Sequence, residues 1–443
     1  MQKYYISADG RTLYQVSKDY RGEIVIPEGV RTIAGKAFAN CKWITGVELP
    51  PSLLEIGVGA FLGCESLTRI EIPCGIERIP DHCFYECGNL AEVVMQEGVE
   101  SIGYAAFFGC HSLCRIDLPY SLREIGEEAF LGCRALTAIE LRSGLKRVGC
   151  YAFQGSGLTA VRLGASKESI RFGTGVFWGT GLRIMEVDPG NEVYTDAGCN
   201  VIMEKRTGRV IFGSYMSRIP DTATVIAETA FGATPKELVI PSSVKRIESC
   251  AFLCNGCSIR LGEGVEEIEI GAFQLSGYPH VPSSVHISSS VRVIQGQSNG
   301  IDFLIDAANP NYYYDSVGRN IISRDGKLVW GRLLEGIPEG VRELHVQVCD
   351  DPGFTDLIIP ESVGYVSDGI FGSDCCYFDR IVVNKGTRIA FPSNGESECE
   401  IVVMDGCSSW LSDGKNRVQC RVFPAGTSAR VIEQALGGPA REE

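Results

Sequence analysis

Cysteine offers the widest chemistry in this sequence, and the 443 residues include 19 of them. Cys254-Asn255-Gly256-Cys257 has the spacing of half a zinc site. A closed site needs two more ligands, and the nearest histidine is His280. Redox exchange and plain apolar packing in a turn are the competing readings of this pair. Cys375 and Cys376 are adjacent, and either respond to oxidation or simply occupy a turn. The histidines, His82, His111, His280, His286 and His345, are scattered along the chain. Gly173-Thr174-Gly175 with Gly179 is glycine-rich, yet it lacks the Lys-Ser/Thr pair of a phosphate loop. His-Glu-x-x-His and Gly-x-Ser-x-Gly do not occur. The residue types therefore point to no catalytic group, no cofactor and no metal.

A second set of cysteines is spaced for packing. Cys41, Cys64, Cys87, Cys110 and Cys133 each follow a phenylalanine by three residues. One slot repeated in this way predicts a buried column in which cysteine acts as a small hydrophobe. Stacked strands lie about 4.8 Å apart, a separation that a disulfide can span. In-register side chains point the same way, however, so bridging would be strained. A column of free thiols suits a reducing compartment. The opening MQKYYISADG has no apolar core of the length a secretory signal needs. These features predict a cytoplasmic protein; a secreted or surface protein seen without its leader is the alternative.

The elements that place these side chains follow from one period. Phe38, Phe61, Phe84, Phe107, Phe130 and Phe153 recur every 23 residues, within the range of leucine-rich repeats. In Leu67–Pro73, LTRIEIP, Leu67, Ile70 and Ile72 alternate with Arg69 and Glu71, the pattern of a half-buried strand. The proline stops it. A shorter strand follows in IERI, with Ile76 and Ile79 inward and Glu77 and Arg78 outward. A turn then carries the phenylalanine and the cysteine. The expected fold is mainly β: a curved, right-handed solenoid of short parallel strands with turns or very short helices, interrupted by β-hairpin inserts.

Stacking exposes two columns on the longer strand. One holds Glu48, Glu71, Val94, Asp117, Glu140, Arg162 and Glu186; its neighbour holds Gly46, Arg69, Glu92, Arg115, Ala138, Ala160 and Ile184. The charged members, Glu48, Arg69, Glu71, Glu92, Arg115, Asp117, Glu140, Arg162 and Glu186, form a candidate partner-binding face. Like charges one rung apart repel by about 1 kcal/mol per pair even in water, and Arg69 and Arg115 offset part of this. The same charges would also keep an unoccupied sheet soluble. The formal net charge of −14 disfavours nucleic acid and favours a basic protein partner. No apolar run reaches the roughly 18 residues of a membrane helix. The oligomeric state is not encoded in any motif.

The chain divides by pattern. Residues 1–23 read as an N-terminal hairpin cap, 24–186 as regular 23-residue repeats, and 187–217 as a hairpin insert. Residues 218–300 carry shorter, degenerate repeats with Phe231, Phe252 and Phe273 spaced by 21. Residues 301–335 form a second hairpin insert, and 336–443 hold late repeats, with Phe371 in the phenylalanine slot, and a terminal strand-helix cap. The two inserts share a Tyr-Asp-Asn order, through Asp196 and Asn200 in the first and Asp315 and Asn320 in the second.

The units IGVGAFLGCESLTRIEIP and IGEEAFLGCRALTAIEL resemble BspA-type leucine-rich repeats, the treponemal class. The inserts YTDAGCNVI and YYDSVGRNII and the ending VFPAGTSARVIEQAL are similar to elements that punctuate such arrays. The resemblance implies a non-catalytic scaffold that presents its sheet to another protein. It implies, as the alternative, a bacterial surface adhesin for host protein or glycan; Tyr312, Tyr313 and Tyr314 are then sugar-stacking candidates, and a β-hairpin accounts for them equally well. It implies no catalytic residue.

Overall fold

A computed structural model of the chain describes residues 3–254, 256–275, 283–295, 301–315, 320–331, 337–345, 356–367, 380–383, 387–389, 400–404 and 420–423. They form a β-solenoid of short strands and turns, with no helix among the described residues. Cys375, Cys376, Phe371 and the expected terminal helix lie outside them. The chain falls into two compact units, Met1–Val244 with Cys250–Leu253, and Lys245–Ser249 with Cys254–Glu443.

In the first unit each turn contributes one longer and one two-residue strand. Arg69–Ile72 alternates exposed and buried side chains, and Arg78–Ile79 follows after a turn. The long strands Gly22–Val25, Ile44–Glu48, Arg69–Ile72, Glu92–Met95 and Arg115–Asp117 pair in parallel as one ladder. A second ladder joins Ala138–Leu141, Ala160–Leu163 and Ile184–Val187. The expected single outward face is thus divided between Asp117 and Ala138.

The short strands also form two ladders, and here the reason is visible. In most turns the residue after the short strand donates its N–H to the preceding rung, as Gly103 does to Ile79 O and Gly126 to Ile102 O, both at 2.8 Å. That position is Pro80 in the turn that follows Ile56, and proline has no N–H. The ladder ends at Glu55–Ile56 and restarts at Arg78–Ile79.

The phenylalanines stack as the period predicts. Ring centroids from Phe38 to Phe153 are 4.6–5.2 Å apart, and all six rings are fully buried. Phe177 continues the stack at 5.6 Å, and Phe212 closes it edge-on at 4.9 Å. Two backbone positions per turn, two residues before and two after the phenylalanine, adopt positive φ. Gly63, Gly109, Gly132 and Gly155 fill the second slot, with Asn40 and Glu86 as its non-glycine members.

The hairpins are starters for the short-strand ladders. Tyr4–Ile6 pairs antiparallel with Thr12–Val16, which then pairs in parallel with Thr32–Ile33. The first insert is three-stranded rather than a simple hairpin: Tyr194–Thr195, Val201–Glu204 and Arg209–Gly213, the last pairing in parallel with Val225–Ile226. Phe231 and Phe252 stack at 4.9 Å in this unit.

The second unit repeats the scheme. Arg246–Ile247, Glu267–Ile268 and Val293–Ile294 form a short-strand ladder, and Ser258–Leu261, Ser283–Ile287 and Ile301–Ile305 the longer one. The second insert pairs Tyr312–Asp315, Asn320–Ser323 and Lys327–Gly331, which leads into Glu343–Leu344, Tyr365–Val366 and Arg388–Ile389. Asp356–Ile358, Arg380–Val383, Glu400–Met404 and Cys420–Phe423 form the accompanying ladder.

Candidate functional site

The outward columns follow the expected register. Gly46 pairs with Arg69, Arg69 with Glu92 and Glu92 with Arg115. Glu71 pairs with Val94, Val94 with Asp117, and Glu140 with Arg162, which pairs with Glu186. The strands' alternation holds the apolar partners inside, so these side chains face solvent without any special device.

Four of them form one network. Arg69 Nε lies 3.0 Å from Glu92 Oε2, Arg69 Nη2 3.6 Å from Glu71 Oε2, and Arg115 Nη1 3.3 Å from Glu92 Oε1. Glu92 is thus held between two guanidinium groups. Gln96 Nε2 donates to Glu71 Oε1 at 3.1 Å. Glu48 sits one rung from Glu71 and forms no ion pair among the described residues, nor does Asp117. Glu140, Arg162 and Glu186 belong to the separate three-stranded ladder. Arg162 turns to Asp188, at 3.1 Å, rather than to either neighbouring glutamate.

The first ladder holds a solvent-open hollow of about 760 Å³. Its walls include Glu23, Glu48, Glu71, Arg69, Thr45 and Thr68, with Pro51, Pro73 and Cys74 at its rim. Its floor is Gly46, which interrupts a column of long side chains. A methyl placed there would meet only the flexible Glu23 Cγ, at 3.2 Å. The Glu23 side chain lies over Gly46, so the glycine gives that carboxylate room to turn into the hollow. Reading the columns one rung further back identifies Glu23; the hollow itself has no sequence signal beyond that glycine.

The cysteines of the repeat column are placed for packing, whereas Cys74 and Cys114 are exposed. Cys41, Cys64, Cys87, Cys110 and Cys133 are all fully buried and unbridged. Each of the last four donates its thiol to the carbonyl of a phenylalanine on the preceding turn, as Cys87 Sγ does to Phe61 O at 3.0 Å. Burial pushes the Cys41 thiol up to about 12 and raises those of Cys83, Cys110 and Cys133. Such thiols stay protonated at neutral pH and are poor nucleophiles. Cys254 and Cys257 are buried as well. Among the described residues no three His, Cys, Asp or Glu side chains converge as a metal site, and no helix is long and apolar enough to cross a membrane.

The model of the BspA type leucine rich repeat region matches residues 17–119, 77–195 and 216–298, more than half of the chain. The chain belongs to the BspA-type leucine-rich repeat family. A leucine rich cell surface protein of Faecalibacterium prausnitzii is similar in fold, with 20% identity, 96% coverage of this chain, 93% of that one and a TM-score of 0.50. The leucine-rich repeat protein of T. pallidum is 34% identical over 40% of this chain and 85% of its own, with a TM-score of 0.35. The pneumococcal vaccine antigen PcpA is 18% identical over 87% of this chain and 95% of its own, with a TM-score of 0.44. No curated protein matches the sequence.

Proposed function

We propose that this BspA-type array is a non-catalytic scaffold that binds a protein partner through the longer-strand face of its first unit. The observation that carries this reading is the hollow over Gly46, open to solvent and walled by three carboxylates against one guanidinium. Arg69 is already engaged by Glu71 and Glu92, so the local field at Glu23 and Glu48 is negative. A lysine or arginine of the partner that enters the hollow would meet those carboxylates. The same field disfavours a phosphate backbone. Asp117, Glu140 and Glu186 extend the negative surface outward, and Arg115 and Arg162 limit it.

Two observations bear on the setting. The free cysteines suggest a cytoplasmic protein, but the buried, protonated column thiols are inert in either compartment, and only exposed ones such as Cys74 and Cys114 would be sensitive to it. The Faecalibacterium protein of the same fold is a cell surface protein, which favours display at the surface, with host protein or glycan as the alternative class of ligand.

A matched panel of lysine-rich, neutral and glutamate-rich decapeptides, titrated against the intact chain at low ionic strength, tests the reading. Lysine-rich members should bind, and the double variant Glu48→Lys/Glu71→Lys should weaken them at least about tenfold. Equal binding of the acidic and basic sets, or an unchanged affinity in the variant, contradicts it.

A further inference from the structure

We propose a second site in the first unit: a notch at the loop edge that takes the sulfate or carboxylate groups of an acidic polysaccharide. It encloses about 490 Å³ between the loops at 143–146 and 165–168, and Arg123, Lys146 and Lys167 line it together with the single carboxylate of Glu168. In a chain with a net charge of −14, the three cations face Glu168 and the Lys167 partner Glu192, which leaves a local excess of one positive charge. Screening confines the distant acidic groups' influence to about 8–10 Å at physiological salt, so the local set governs what binds.

The room comes from small residues, Gly144, Ala165 and Gly190. The loop is held in shape beforehand. Ser166 is 8% exposed, and its hydroxyl donates to Glu168 O at 3.0 Å and accepts from Glu168 N at 3.2 Å. The cations are available. Arg123 forms no ion pair among the described residues; Nη1 donates to Gly144 O at 3.1 Å, which leaves most of a planar fork suited to bidentate sulfate or carboxylate. Lys146 meets Glu168 at 3.6 Å and Lys167 meets Glu192 at 3.3 Å, with every one of these side chains more than half exposed. Exposed pairs of this kind contribute little, so an incoming anion displaces them readily.

Two features favour a polysaccharide over an acidic peptide. The walls are loops, with no strand edge on which a peptide backbone could extend the sheet. Tyr120 neighbours the lining residue Gly144; it is 62% exposed, and Arg142 covers one face of its ring at 4.4 Å. Its carbonyl lies 2.6 Å from where a Gly144 methyl would stand, which sets the Tyr120 backbone against the lining. The uncovered face of the exposed ring suits a sugar ring, and the Ser143 hydroxyl, in the same lining as Arg123, suits sugar hydroxyls.

The test is a titration of the full chain with a fluorescent heparin hexasaccharide at low salt, beside a neutral dextran oligomer and a polyglutamate peptide of similar length. The heparin oligomer should bind, and raising the salt from about 50 to about 200 mM should weaken it severalfold. Arg123→Glu and Lys146→Glu should each weaken it about tenfold, with melting temperatures kept as a check on folding, while the distant Lys18→Glu leaves it unchanged. Failure of heparin to bind, an equal loss in Lys18→Glu, or polyglutamate binding as tightly as heparin overturns the proposal. The outcome is independent of the basic-peptide experiment, because the two surfaces do not share a residue.

Discussion

Cys64 shows how one small side chain serves two turns. Its backbone N–H closes its own turn on Phe61 O at 3.2 Å, and its thiol donates to Phe38 O on the turn before, also at 3.2 Å. The phenylalanine carbonyl uses both lone pairs, so no buried acceptor is left open. Ser156 occupies the same slot after Cys133, and its buried hydroxyl has no hydrogen-bond partner. The period revealed this column in the sequence; the donor role did not show, because it depends on a carbonyl 26 residues back. The buried thiols also set a pH dependence. Their ordinary value is 9.0 and their folded values are higher, Cys41 at about 12. A raised folded value gives stability that is intact below pH 9.0 and falls as pH rises towards the folded value. Stability measured by denaturant unfolding should therefore fall steeply above pH 9.0. Replacing Cys110 by Ala should flatten that alkaline slope by about 1.4 kcal/mol per pH unit. An unaltered slope contradicts the assignment.

Elements here are specified by what they lack as much as by what they contain. Gly126 follows the short strand Glu124–Ile125 and lies against the backbone of the preceding turn: an added methyl would stand 2.6 Å from Gly103 C. The IG dipeptide in IGVGAF and IGEEAF carried that signal openly. Gly126→Ala should cost about 1–3 kcal/mol, read as a lowered denaturation midpoint. A neutral result would mean that the rungs are not packed this closely. The inserts were recognisable from their shared Tyr-Asp-Asn order, but their capping work was not, because it is done by side chains that imitate a strand. Tyr194 hydroxyl accepts from Ile170 N at 3.0 Å and donates to Ile170 O at 3.1 Å. Asn200 accepts from Met185 N at 2.6 Å and donates to Arg183 O at 2.6 Å. Tyr312 treats Ile294 N and Arg292 O likewise, at 3.2 and 3.0 Å. Each insert thus ends one ladder with side chains and opens the next with backbone, which protects edges that would otherwise template aggregation.

For the whole molecule, the repeat explains how 443 residues fold without a single central core: each turn buries its phenylalanine against the next. Two breaks in otherwise regular ladders, at Pro80 and after Asp117, separate the surfaces available for contact. The charged columns were legible from the period alone, whereas the hollow in them was not, since the period does not show where the Glu23 side chain turns. That hollow is the basis of the binding account, and Gly46 gives direct access to it. Gly46→Leu adds bulk to the hollow without altering charge and pushes the Glu23 side chain aside; that neighbour is flexible, with its Cγ 3.2 Å from the new Cβ, so the fold should tolerate it. Calorimetric titration of this variant with the best lysine-rich peptide is the decisive measurement. The account predicts an affinity at least about tenfold below wild type at an unchanged melting temperature. An affinity equal to wild type would contradict it.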